Sequence, residues 1–172
     1  TWSPDGRRIA FDSVKAEDKR CDVYVIDADG GNPRLLTPSP ADEMVPLWSR
    51  DGRWIYFASD RTGRHEIWRA PAEGGDAVQI TRAGGFAAEE SVDGRSLYYV
   101  KRESGSQPLF TLPVNGGDEQ QVLDAVVSMK SSAVVEGGLY YWAPLRYAEP
   151  GAILRFLDFG TGRSRDLARV DM

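Results

Sequence analysis

The chain has 172 residues, 41% hydrophobic and 10% aromatic, with 18 glycines, 10 prolines and a net charge of −5. That length supports one domain with a real core, and the frequent glycine and proline suggest many turns. Basic and acidic residues are interspersed with no basic block, which argues against nucleic acid as a partner of this segment.

The first element is the turn in WSPDGRRIAF, Trp2 to Phe11, which runs into Ile9-Ala10-Phe11. A second apolar run, Val23 to Ile26, leads to DADGGN at Asp27 to Asn32, and Arg34 to Thr37 follows. The order then repeats. Val45 to Trp48 precedes WSRDGRWIYF (Trp48 to Phe57), then come Ile67-Trp68, PAEGGD (Pro71 to Asp76) and Val78 to Thr81. A third pass has Phe86 to Ala88, ESVDGRSLYYV (Glu90 to Val100), Leu109 to Leu112, PVNGGD (Pro113 to Asp118) and Gln121 to Leu123. A fourth has Ala133 to Val135, VEGGLYYW (Val135 to Trp142), Ile153 to Leu157, DFGTGR (Asp158 to Arg163) and Arg165 to Leu167. These runs are rich in β-branched and aromatic residues, have strand length, and are bounded by Gly, Asp and Pro.

The turn glycines Gly6, Gly52, Gly94 and Gly137 lie 46, 42 and 43 residues apart. Two independent turn landmarks keep this period, which defines a repeat of about four strands. Tyr56 and Phe57 are adjacent and both large, as are Tyr98 and Tyr99. A sheet with one wet face would alternate, whereas a sheet covered on both faces need not. The expected fold is therefore all-β: a β-propeller of four-stranded antiparallel blades at approximately 1–37, 43–81, 85–123 and 126–168, forming a single segment over 1–172. The chain opens in mid-motif at Thr1-Trp2, as expected of a segment of a longer product. Four blades are few for a closed ring. The expectation is a partial ring, or half of an eight-bladed homodimer.

Chemistry-bearing residues are sparse. His65, in RTGRHEIW, is the single histidine, and no GxSxG nucleophile elbow is present. One imidazole cannot anchor a usual zinc site. Cys21, alone, excludes an internal disulfide. Asp5, Asp51 and Asp93 read as turn formers, because Asp bonds local backbone N–H groups and Gly accepts positive φ. The DADG at Asp27 to Gly30 lacks the later acid of a calcium loop. No catalytic residue, metal or cofactor is expected. No stretch reaches the roughly 18 apolar residues of a membrane span.

The units closely resemble the TolB-like, or WD40-like, propeller repeat. Trp2, Ser3, Pro4, Asp5, Gly6, Ile9, Ala10 and Phe11 carry the first half of its pattern, and Asp22, Tyr24, Asp27, Gly30, Gly31, Leu36 and Thr37 the second. Trp48, Ser49, Asp51, Gly52, Glu66, Ile67, Trp68, Gly74, Gly75 and Thr81 repeat it, while the third unit has Glu90 where Trp is usual and the fourth lacks Ser-Pro-Asp. The resemblance implies a non-enzymatic binding, scaffold or sensor module for a protein or envelope ligand. It is most similar to the propeller tails of bacterial winged-helix regulators. The alternative is the propeller portion of a prolyl-oligopeptidase-like or other hydrolase. The compartment stays open between a bacterial envelope and cytoplasm. Such propellers bind at the channel mouth, so loops between second and third strands become candidates: Arg61, Arg64, His65, Lys101, Arg102, Arg146 and Tyr147. Glu43, Glu89, Glu90 and Lys130 are placed near the channel-side strands.

Overall fold

The computed structural model describes residues 1–14, 19–129, 132–145 and 151–170. Lys130, Arg146 and Tyr147 lie outside the described residues. The first sheet contains β1 (Arg8–Val14), β2 (Cys21–Asp27) and β3 (Arg34–Leu35). The second contains β4 (Glu43–Trp48), β5 (Trp54–Ser59), β6 (Glu66–Pro71) and β7 (Val78–Gln79). The third contains β8 (Ala88–Glu90), β9 (Ser96–Tyr99), β10 (Gln107–Pro113) and β11 (Gln120–Val126), and the fourth β12 (Ala133–Val135), β13 (Gly138–Pro144), β14 (Ala152–Asp158) and β15 (Arg163–Val170). Within each sheet the strands follow chain order, and every pairing is antiparallel. No helix among the described residues is long and apolar enough to cross a membrane.

Among the described residues the first blade has three strands, not four. Its first-strand place is held by an isolated bridge between Trp2 and Ile9. The innermost strand of the third blade also starts later than its apolar residues suggest. Phe86 and Ala87 are buried and bonded to Val100, but the ladder proper begins at Ala88. The outer strands β11 and β15 are longer than expected, at 7 and 8 residues.

Local chemistry builds each hairpin. Ser3, Ser49 and Ser91 donate their hydroxyls to Asp5, Asp51 and Asp93 at 2.6, 2.7 and 2.6 Å. Each aspartate also accepts a backbone N–H two residues on, from Arg7, Arg53 and Arg95. These bonds join residues two apart in the chain, so the turn is specified by neighbours in sequence. They hold the Asp51 carboxyl down at about 2, the Ser49 hydroxyl first and the Arg53 N–H second.

Packing between sheets then uses both faces. Ala10, Val23, Val25 and Leu36 of the first blade meet Ile55, Phe57 and Ala70 of the second. Tyr56, Ile67 and Ile80 meet Leu97, Tyr99 and Leu112 of the third. Val100, Leu109 and Val126 meet Leu139, Tyr141 and Leu157 of the fourth. Adjacent bulky residues on one strand, such as Tyr56 and Phe57, thus serve opposite neighbours. That is the physical reason these strands do not alternate between apolar and polar.

Candidate functional site

The inner strands and the loops above them line a cleft of about 610 Å³. Met44, Leu47, Phe86 and Met129 form apolar wall, and Asp12, Glu89 and Glu103 bring carboxylates to it. No lysine or arginine side chain lines it among the described residues. One wall is strained. Val45 has φ of 56°, at a bulge where the β4–β5 register shifts between Met44 and Leu47. Positive φ on a β-branched residue is an outlier of the kind that concentrates at functional sites. The Val45 N–H donates to Asp12 Oδ1 at 3.3 Å, so the kink is tied to an acid of the cleft.

The acids placed by sequence near the channel divide into two kinds. Glu43 is 0% exposed and accepts from the Thr37 hydroxyl at 2.6 Å and from the Arg61 guanidinium. Burial pushes its carboxyl up, against the pull of Thr37 and Arg61. Glu90 is buried too. It accepts from the Tyr56 hydroxyl at 3.0 Å and from the Arg50 N–H, while the Arg50 guanidinium reaches the carbonyls of Glu90 and Val134 at 3.3 and 3.2 Å. Glu90 and Arg50 therefore tie three blades together at the position where other units carry Trp. Glu89 differs: it is partly exposed in the cleft, and burial raises its carboxyl while the Val134 N–H at 2.9 Å and the Arg50 guanidinium at 3.8 Å oppose that.

The loop cations are engaged within the chain. Arg61 covers Glu43 and lies over the Trp68 ring at 4.5 Å. Arg64 pairs with Glu66 at 2.6 Å, and Lys101 with Glu119 at 2.5 Å. The Arg102 N–H closes its own loop on Gln107 at 2.8 Å. His65 packs edge-on to Phe86, with ring centroids 5.3 Å apart, and its buried Nε2 has no hydrogen-bond partner among the described residues.

Glu66 is the structural group that sequence reasoning left without a role. It is buried and accepts from the Thr81 hydroxyl at 2.6 Å and the Gly84 N–H at 3.0 Å. The available signal was its recurrence with Thr81 at the spacing of Asp22 and Thr37. Asp12 and Glu103 of the cleft were also missed, because no local pattern distinguishes them from solvated charges.

Four antiparallel sheets packed face to face around one inner cleft define a β-propeller segment. The TolB beta propeller domain matches residues 1–140, and the chain belongs to that family. It is 40% identical over 80 residues to an uncharacterized protein of Agrobacterium fabrum, an alignment spanning 46% of this chain and 27% of that one. It is 43% identical over 56 residues to the Tol-Pal system protein TolB of Bordetella pertussis, spanning 32% of this chain and 13% of that protein. The chain thus spans well under two thirds of these relatives' length. Among solved structures, TolB from Acinetobacter baumannii superposes over 99% of this chain and 43% of its own, with a TM-score of 0.75 and 19% identity. A puromycin-hydrolyzing peptidase of Mycobacterium tuberculosis superposes over 98% of this chain and 28% of its own, with a TM-score of 0.74 and 17% identity. At these identities the two superpositions speak for the fold alone.

Proposed function

We propose that this chain is a non-enzymatic binding module that takes a protein segment at its inner cleft, the segment carrying a basic residue flanked by apolar ones. The observation that carries this is the cleft itself, where Asp12, Glu89 and Glu103 meet an apolar wall; no lysine or arginine lines it among the described residues, and Arg50 stands 3.8 Å from Glu89 at its edge. Complementary charge sets specificity and encounter rate, and the apolar wall supplies burial. His65 packs against the Phe86 wall and contributes a rim contact. The relative named for the Tol-Pal system supports protein binding as the role. A sensor role, by resemblance to regulator tails, uses the same surface.

The test is fluorescence anisotropy with labelled peptides that differ only in exchanging Lys for Glu between apolar neighbours. The lysine peptide binds and the glutamate peptide does not. Asp12→Asn with Glu89→Gln weakens binding at least about tenfold, the loss of two charge-assisted contacts. Equal binding of both peptides refutes the assignment. The second proposal is the non-catalytic propeller of a larger hydrolase, supported by the likeness to the puromycin-hydrolyzing peptidase. An esterase and peptidase panel with a His65→Ala control tests whether this chain itself has activity, and activity lost in the control would overturn the non-enzymatic assignment.

A further inference from the structure

We infer that Val45 is a positioning residue of the cleft, which rests on reading the cleft as the site of a basic segment. The one residue added to β4 here turns the Val45 N–H to Asp12 and holds that carboxylate for the bound cation. The contact lies at the junction of the first two blades, inside the chain.

Met44 pairs with Ala58 and Leu47 with Tyr56, so three steps along β4 stand against two along β5. One residue of β4 is extra, which makes a β-bulge, and Val45 takes a left-handed φ of 56° within it. The inner run of the third blade bends in a similar way. There the Phe86 N–H donates to the Val100 carbonyl at 2.8 Å and the Val100 N–H to the Ala87 carbonyl at 3.0 Å, two residues against one. The inner strand of the fourth blade, in contrast, pairs in step from Ala133 with Tyr140 to Val135 with Gly138. The repeat itself therefore does not impose a bulge. At the β4 bulge Met44, Val45, Pro46 and Leu47 line the cleft in unbroken succession. A regular strand sends successive side chains to opposite faces.

Left-handed backbone is costly for a β-branched residue, and glycine would adopt it freely. The strain goes with a particular contact. Off the ladder, the Val45 N–H donates across the blade junction to Asp12 Oδ1 at 3.3 Å. Among the described residues the Asp12 side chain makes no other hydrogen bond, and Asp12 is exposed. An exposed carboxylate samples several rotamers, and holding it in one lowers the entropy lost when a cation binds. With Oδ1 engaged by Val45, Oδ2 is the oxygen left for a lysine or arginine of the segment. Bulges beside binding sites re-aim groups in this manner, and the strain is stored where the geometry is used.

The experiment joins NMR of the free chain to the anisotropy assay with the lysine and glutamate peptides. In the free chain, Asp12→Ala shifts the Val45 amide resonance and Glu103→Gln does not. An unmoved Val45 amide in Asp12→Ala overturns the inference with no peptide present, and it decides the matter should the deletion below fail to fold. Deleting Val45 lets β4 and β5 pair residue for residue, with Pro46 opposite Phe57. That variant keeps its circular dichroism spectrum and binds the lysine peptide about threefold to tenfold more weakly, the effect of one side chain no longer held in advance. In an Asp12→Asn background the same deletion costs nothing further. Val45→Gly, which keeps the N–H and accepts the positive φ, binds as the wild type does. A deletion variant of unchanged affinity overturns the role of Val45 alone, as does a further loss in the Asp12→Asn background. A wild type with no preference for the lysine peptide overturns the reading of the cleft, and the role of Val45 with it.

Discussion

Replacing Glu90 by Ala tests whether a charge at the axis can be structural. Glu90 is buried and accepts from the hydroxyl of Tyr56, a residue 2% exposed, and from the Arg50 N–H. Alanine leaves both donors without that acceptor. A buried donor left unpaired costs about 1–3 kcal/mol, and the Arg50 site is only part-buried. The expected loss is therefore about 2–4 kcal/mol, a large part of a small domain's stability. Urea unfolding followed by fluorescence of the five tryptophans measures it, at one protein concentration so that association does not intrude. Tyr56→Phe in the same background should recover about 1 kcal/mol, since removing both partners is milder than orphaning one. A loss under about 0.5 kcal/mol, the usual effect of a surface substitution, would refute the structural account, as would a double variant no more stable than Glu90→Ala.

Three further outcomes follow from single residues. Arg61→Ala should cost about 3–5 kcal/mol at neutral pH, because it strands the fully buried Glu43 carboxylate. Burial already raises the Glu43 carboxyl, so the folded state binds that proton more tightly than the unfolded state, and the variant should recover stability as pH falls from neutral toward the ordinary carboxylate value. Asp51→Asn should act oppositely. The Asp51 carboxyl stands at about 2 against an ordinary 3.8, so its contribution is present above 3.8 and lost as pH falls through about 2. Solvent screening keeps that contribution below about 1 kcal/mol, and denaturation curves for variant and wild type should converge at the acid end. Gly138→Ala should destabilise by about 1–3 kcal/mol in thermal unfolding, since an added Cβ would sit inside 3.0 Å of the Phe156 ring and the Leu157 carbonyl. An unchanged midpoint would mean that β13 and β14 separate more easily than their pairing indicates.

What could be read from the chain alone was whatever its near neighbours encode. The Ser-x-Asp-Gly turns close over two to five residues, as Ser3, Asp5 and Arg8 do, so each copy carries its own instructions. The repeat of those turns, with bulky residues pointing both ways, was enough to specify stacked four-stranded sheets. The bonds that tie neighbouring blades together join residues distant in sequence. Tyr56 and Glu90 are 34 positions apart, and Arg50 and Val134 are 84 apart. In a sequence, a carboxylate tying blades together looks the same as one facing water. Glu43, Glu89 and Glu90 stand on the innermost strands β4 and β8, and nothing in the sequence tells them apart. Only the packed structure tells them apart, by burying Glu43 and Glu90 and leaving Glu89 partly exposed in the cleft with Asp12 and Glu103, because burial depends on blades that meet only in three dimensions.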